Sequence, residues 1–236
     1  MYSIFTDIAA AAFCCGVCRL VLQLLKKSYA KRLIDRHLLR KLYHICVGLI
    51  VMLCWPMFSS SLWGRVLAGL TSGLGFFEQL IAIGMGKDEK LLKFLKRYKD
   101  SRDLLKAILA YVLTIILVAV FDWRTPRAIA IICNLCAGDG MADIVGRRFG
   151  GWKLPYNKNK SYAGTIGMAI AGFFTSILFM YYFSWLGYIE ESPNMVLGFL
   201  AVSIAAALVE SHPLSTKIED NVTVPLASMV VGTFVL

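Results

Sequence analysis

Eight stretches of mostly apolar residues, at roughly 7–25, 42–58, 62–85, 104–121, 127–143, 162–187, 195–210 and 222–236, alternate with short polar or charged segments. Most are as long as a helix must be to cross a hydrocarbon layer about 30 Å thick. Their apolar character is continuous rather than alternating, which argues against the strands of a transmembrane barrel. The pattern predicts an all-α fold, a polytopic transmembrane helical bundle of about 7–8 membrane helices, with the eighth stretch short. No internal repeat and no low-complexity linker interrupts residues 1–236, so a single polytopic membrane domain is expected.

Composition supports this reading. Hydrophobic residues make up 58% of the 236 and charged residues 17%, against about 45–50% and about 25% in soluble domains. A soluble α/β enzyme, a disulfide-stapled secreted domain and a disordered tail are all excluded. The seven cysteines lie in or beside apolar stretches, and an odd count there predicts buried free thiols rather than a disulfide framework. Cys133-x-x-Cys136 has no second pair to complete a zinc site. Met1–Thr6 runs directly into the first stretch with no Arg/Ser-rich transit segment, and that stretch ends in basic residues rather than a small-residue cleavage site.

Charge tests the helix count. If the helices alternate in direction, every second loop shares a side. The loops 26–41, 87–106, 147–160 and 211–221 hold 21 of the 25 Lys and Arg residues. The opposite loops hold only Arg65, Arg124 and Arg127, and Arg19 lies in the first stretch. Such a split is what the positive-inside rule requires of a correct count. The net charge of +10 is therefore read as topology and contact with anionic lipid, not as a nucleic-acid surface. Lys87–Lys106 reads as an amphipathic helix lying on the membrane.

The chemistry gathers on the basic side. Asp139 and Asp143 are four apart, so on a helix their Cβ atoms lie about 5–6 Å from each other. Asp139 stands twelve residues after Arg127, about 18 Å along a helix. A carboxylate at that depth costs several kcal/mol unless paired, which marks a functional position. Paired carboxylates call for a hard cation, Mg²⁺ before zinc. Beyond them Arg147, Arg148, Lys153, Lys158 and Lys160 are spaced through Gly150, Gly151 and Gly164, with Ser161 and Thr165 nearby. Cations and close-approaching backbone N–H groups together make a site for a nucleotide's phosphates.

Ser161 can bond phosphate or cap the next helix. Arg40 and Lys41 can reach phosphate or snorkel. Glu210 closes an apolar helix, and Glu219-Asp220-Asn221 offers either metal ligands or an N-cap. The candidate catalytic carboxylates are Asp139, Asp143 and Glu210, the last two as acceptors of a hydroxyl proton. The candidate metal ligands are Asp139, Asp143 and Asp220.

At these residues the chain resembles the polyprenol kinase family, the plant phytol kinases and farnesol kinases, over residues 36–236. The resemblance rests on Cys133-Asn-Leu-Cys-Ala-Gly-Asp-Gly-Met-Ala-Asp-Ile-Val-Gly-Arg-Arg-Phe-Gly, on Lys153-Leu-Pro-Tyr-Asn-Lys-Asn-Lys-Ser-Tyr-Ala-Gly-Thr, on Arg40-Lys41-x-x-His44 and on the segment 210–223. It implies transfer of phosphate from CTP, with other nucleoside triphosphates possible, to an isoprenoid alcohol. Phytol, in tocopherol synthesis, is expected ahead of farnesol or geranylgeraniol. It also implies Mg²⁺ dependence and a plastid envelope or thylakoid membrane. By motif, Asp139 and Asp143 would hold metal and phosphates, and Arg147, Arg148, Lys153 and Lys160 would neutralise the triphosphate. His212 stands where the family has an apolar residue, and Glu219 replaces an aspartate. A CDP-lipid cytidylyltransferase shares this layout more loosely and is the alternative reading. A cation transporter is a weaker one, because the inverted repeats of that class are not visible.

Overall fold

The computed structural model describes residues 4–84, 101–216 and 219–236. Its helices are α1 (Ile4–Ala30), α2 (Arg36–Cys54), α3 (Leu62–Gly84), α4 (Ser101–Phe121), α5 (Pro126–Cys133), α6 (Asp139–Phe149), α7 (Tyr162–Trp185), α8 (Pro193–Ser211) and α9 (Asp220–Val235). A π-helical turn, Asn134–Gly138, joins α5 to α6, so the two form one 24-residue span, Pro126–Phe149. Eight apolar rods therefore match the eight stretches, and the described residues are all-α.

Among the described residues five helices are long and apolar enough to cross a membrane: Ile4–Ala30, His37–Met57, Pro126–Phe149, Tyr162–Trp185 and Pro193–Ser211. The apolar parts of α4 (Lys106–Phe121) and α9 are shorter. The expected surface helix at Lys87–Lys106 falls mostly outside the described residues, as does Lys217. Ser101–Lys106 forms the start of α4.

Local chemistry sets the helix boundaries. Asp35, Thr125, Ser161 and Ser192 each accept a backbone N–H of the first turn that follows, and proline opens α5 and α8 directly after its cap. The chain leaves α7 through Gly187 at φ +75°, the left-handed turn that only glycine adopts without strain. Within α9, Pro225 has no N–H to give the carbonyl four residues back. The Thr114 hydroxyl on α4 donates to that Asn221 carbonyl at 3.2 Å instead.

Contacts across the bundle bear out the alternation of helix direction. At one end Asp7 meets Ser59, Arg65 donates to the Val120 carbonyl, Arg124 reaches the carbonyls of Trp55 and Phe58, and Arg127 bonds Asp122 and Thr233. At the other end Lys41, Asp139, Lys160, Glu210 and Asp220 converge.

The core runs between these ends. Ala128 to Cys133 and the whole π turn are buried, because α5 is apolar all round and lies in the centre. None of the seven cysteines is in a disulfide. Small residues let the helices close on this strut, as packing in lipid favours. A Cβ on Gly164 of α7 would meet the Ala142 carbonyl, and one on Gly48 of α2 would collide with Cys136.

Candidate active site

The π turn places the first carboxylate. The Asp139 N–H reaches the Asn134 carbonyl, five residues back, in the wide turn that recurs at functional sites. His44 on α2 donates from Nε2 to the Leu135 carbonyl at 3.1 Å, a bond across to the widened segment. The His44 ring in turn lies 4.4 Å, centroid to centroid, from that of Tyr111. Asp139 is 5% exposed, as its depth in the sequence suggested.

One face of α2 carries the partners of α6. His37, Lys41 and His44 are spaced four and three apart, a single helical stripe. Because α2 runs antiparallel to α6, the outer residue meets the outer aspartate and the inner residues meet the inner one. His37 Nδ1 is 3.2 Å from Asp143 Oδ2, and Lys41 Nζ is 3.0 Å from Asp139 Oδ2. His44 Nε2 lies 3.7 Å from the same Asp139 oxygen.

Sequence spacing pairs Asp139 with Asp143 around one ion; the three-carboxylate group in the structure contains the first of them and not the second. Asp139, Glu210 and Asp220 are the three carboxylates that come together, with one oxygen from each lying within 4.8 Å of the others. Asp143 lies outside this group, with Arg147 Nε 3.0 Å from its other oxygen. Glu210 ends α8 and Asp220 begins α9, so the turn between them folds both back towards α6. Glu219 occupies the N-cap of α9 but makes no side-chain cap bond.

Lys160 completes the cluster. Its ammonium donates to Glu210 Oε1 and, at 3.1 Å, to Asp220 Oδ2. Burial pulls its pKa down, but the two carboxylates outweigh burial and leave it above the ordinary lysine value. The loop before it is anchored: Asn157 Nδ2 donates to the Ser211 carbonyl at 3.0 Å and Tyr156 Oη lies 3.0 Å from Ser211 Oγ. Lys153 and Ser161 pair as an isolated antiparallel bridge at the loop's base. Ser161 caps α7 through the Gly164 N–H, so of its two readings the structure displays the cap.

These groups line a cavity of about 540 Å³. Its walls include Lys41, Asp139, Asp143, Arg147, Arg148, Lys153, Lys160, Ser161, Gly164, Glu210 and Asp220. Two expected phosphate ligands, Arg40 and Lys158, are not among its walls. Arg40 approaches His37 Nε2 at 3.2 Å, and Lys158 is exposed. His37, Asn157 and Ser211 were given no role from sequence, and His44 entered only as part of a motif. The histidines had a signal in their helical spacing from Lys41, and the loop anchors had none.

The carboxylate triad suits a hard divalent cation. All its donors are oxygens, and Asp220 Oδ1 is buried with no hydrogen bond from the described residues. Such a cluster, ringed by Arg and Lys on a water-accessible end, can neutralise and orient a polyphosphate.

Comparison with known proteins gives a consistent picture. No family model and no solved structure matches the chain. It is 53% identical over 233 residues to a probable phytol kinase 3, chloroplastic, of Glycine max, covering 98% of this chain and 73% of that protein. It is 56% identical over 200 residues to the farnesol kinase, chloroplastic, of Arabidopsis thaliana, covering 84% and 65%. With phytol kinase 1, chloroplastic, of Arabidopsis thaliana it shares 41% over 207 residues, covering 86% and 68%.

Proposed function

Because this chain belongs to the family of the plant phytol kinases and farnesol kinase, we propose that it is a multi-pass chloroplast membrane kinase that phosphorylates an isoprenoid alcohol, phytol before farnesol. The phosphate donor is a nucleoside triphosphate, CTP in our reading, used with Mg²⁺. The observation that carries the site assignment is the meeting of Asp139, Glu210 and Asp220 within one cation-lined cavity at the basic end.

Phosphoryl transfer asks a protein mainly for positioning and for neutralisation of charge on the transferring oxygens. Asp139, Glu210 and Asp220 would hold Mg²⁺, which when bound offsets charge on the β- and γ-phosphates. Arg147, Arg148 and Lys153 line the open part of the cavity, where they take up the rest of the triphosphate. Lys41 orients Asp139 from the α2 side. Asp143 stands apart from the triad and is braced by His37 and Arg147. We assign it to accept the proton of the alcohol. The prenyl tail extends into the apolar part of the bilayer while its hydroxyl reaches the basic end. This division of labour replaces the sequence expectation of Asp143 as a metal ligand beside Asp139.

The test is purified full-length protein in nanodiscs, offered phytol, farnesol and geranylgeraniol with each γ-labelled nucleoside triphosphate. The kinase reading requires label in the lipid product and release of the nucleoside diphosphate. Label in pyrophosphate with the nucleotide attached to lipid would overturn it in favour of a cytidylyltransferase.

A further inference from the structure

We propose that Lys160 is a built-in stand-in for the divalent cation: it holds Glu210 and Asp220 while the nucleotide is absent and leaves them for the phosphates when metal and nucleotide arrive. The inference rests on the reading of the triad as the metal site.

Three observations carry it. The first is competition for the same electrons. The Lys160 ammonium bonds one oxygen of Glu210 and one of Asp220, and both carboxylates belong to the triad. Mg²⁺ binds carboxylate oxygens at about 2.0–2.1 Å, so an ion on Glu210 Oε1 and Asp220 Oδ2 displaces Lys160, and one drawn to the unpartnered Asp220 Oδ1 still meets its positive charge. Ammonium and ion exclude each other there, by contact and by like charge.

The second is the balance of charge. In the resting arrangement three carboxylates face two ammoniums, Lys41 and Lys160. Once Lys160 has left, the triad, Lys41 and one divalent ion are neutral together. The site thus stays close to neutral in both states, as the burial of Asp139 and Glu210 requires.

The third is mechanical. The loop is tied to the end of α8 through the side chains of Asn157 and Tyr156, while Lys160 carries its charge on a flexible four-carbon stem. The ammonium can therefore move without unseating the loop. It lines the same cavity as Arg147, Arg148 and Lys153, so its destination is already part of the site.

The consequence is cooperative binding. The metal alone must displace Lys160 with nothing to receive it, whereas metal with nucleotide supplies phosphate oxygens for the released ammonium. A fixed ammonium that merely repels the ion predicts tighter metal binding in the variants with the gain from CTP unchanged, so an unchanged gain overturns the exchange and a shrinking one marks it.

The experiment is Mn²⁺ titration, followed by electron paramagnetic resonance, of full-length wild type, Lys160→Ala and Lys160→Gln in nanodiscs, with and without CTP. Expected is weak Mn²⁺ binding by wild type alone, at least tenfold tighter with CTP. In both variants nucleotide-free binding tightens at least tenfold and the gain from CTP shrinks. Lys160→Arg, which keeps the cation, should bind nucleotide-free Mn²⁺ no more tightly than wild type. Nucleotide-free binding in Lys160→Ala and Lys160→Gln that is unchanged or weaker overturns the proposal. If wild type transfers the γ-phosphate in that case, the kinase reading stands alone. If the variants tighten but wild type transfers no phosphate, the exchange stands and the kinase reading falls.

Discussion

The two ends of the bundle both bury charge, but they close it differently. At the end holding Arg65, Arg124 and Arg127, each charge is matched within a joint between loops. Asp7 accepts the Ser59 N–H and hydroxyl, both at 2.7 Å. Arg124 donates to the carbonyls of Trp55 and Phe58, at 2.7 Å each, and lies over the rings of Trp123 and Tyr188. Asp122 is taken by Arg127. At the other end three carboxylates crowd within 4.8 Å and share two ammoniums. A buried charge with a partner of its own fastens the fold; like charges crowded around too few partners mark a place for a ligand.

Exchanging aspartate for asparagine at each end separates these roles most sharply. Asp139→Asn should lower turnover by at least a thousandfold while yield and melting temperature stay close to wild type. Asp122→Asn should do the opposite, leaving activity of the folded fraction within about twofold. It should cost about 2 kcal/mol of stability, below the 3–5 of a fully buried pair, because Arg127 is 35% exposed. Labelled-phosphate transfer and thermal melting, read on both variants, check the contrast. Comparable effects of the two substitutions on both measurements would erase it.

That contrast was partly legible in the sequence. Apolar run length gave the eight rods, and loop charge told which end would carry the chemistry. The depth of Asp139 followed from helical rise alone. The triad did not follow, because Glu210 and Asp220 approach Asp139 only through the turn between α8 and α9, some seventy to eighty residues downstream. Spacing favoured Asp143 as the partner of Asp139, but the stripe on α2 divides the two, giving Lys41 to one and His37 to the other. Nothing local in Asn134-Leu-Cys-Ala-Gly announces a π turn.

A smaller change asks whether the site end also needs its joints. Asn157→Ala removes the bond that docks the phosphate loop on Ser211. It should raise the nucleotide KM about tenfold, the order expected for an unsatisfied buried carbonyl, while kcat falls by no more than about threefold. A fall in kcat with KM unchanged would show that the loop serves the chemistry rather than the binding.

The smallest expected effect lies between the two ends. Thr114→Val withdraws the donor that satisfies the carbonyl opposite Pro225. It should cost about 1 kcal/mol in melting or denaturant experiments with kinetics unchanged. A larger kinetic than thermodynamic effect would mean that the start of α9, and Asp220 with it, depends on this bond for its position.

The wide turn before Asp139 also resets the phase of its span. Each residue of an α-helix advances the wheel by about 100°, and a turn closed five residues back rather than four absorbs one residue without that advance. Counted from Arg127, the angular position of every residue after Gly138 is therefore about one residue out of step with an unbroken wheel. The span works as two wheels on one axle: the first is free to be apolar in every direction, and the second is clocked so that Asp139 and Asp143 both face the stripe on α2.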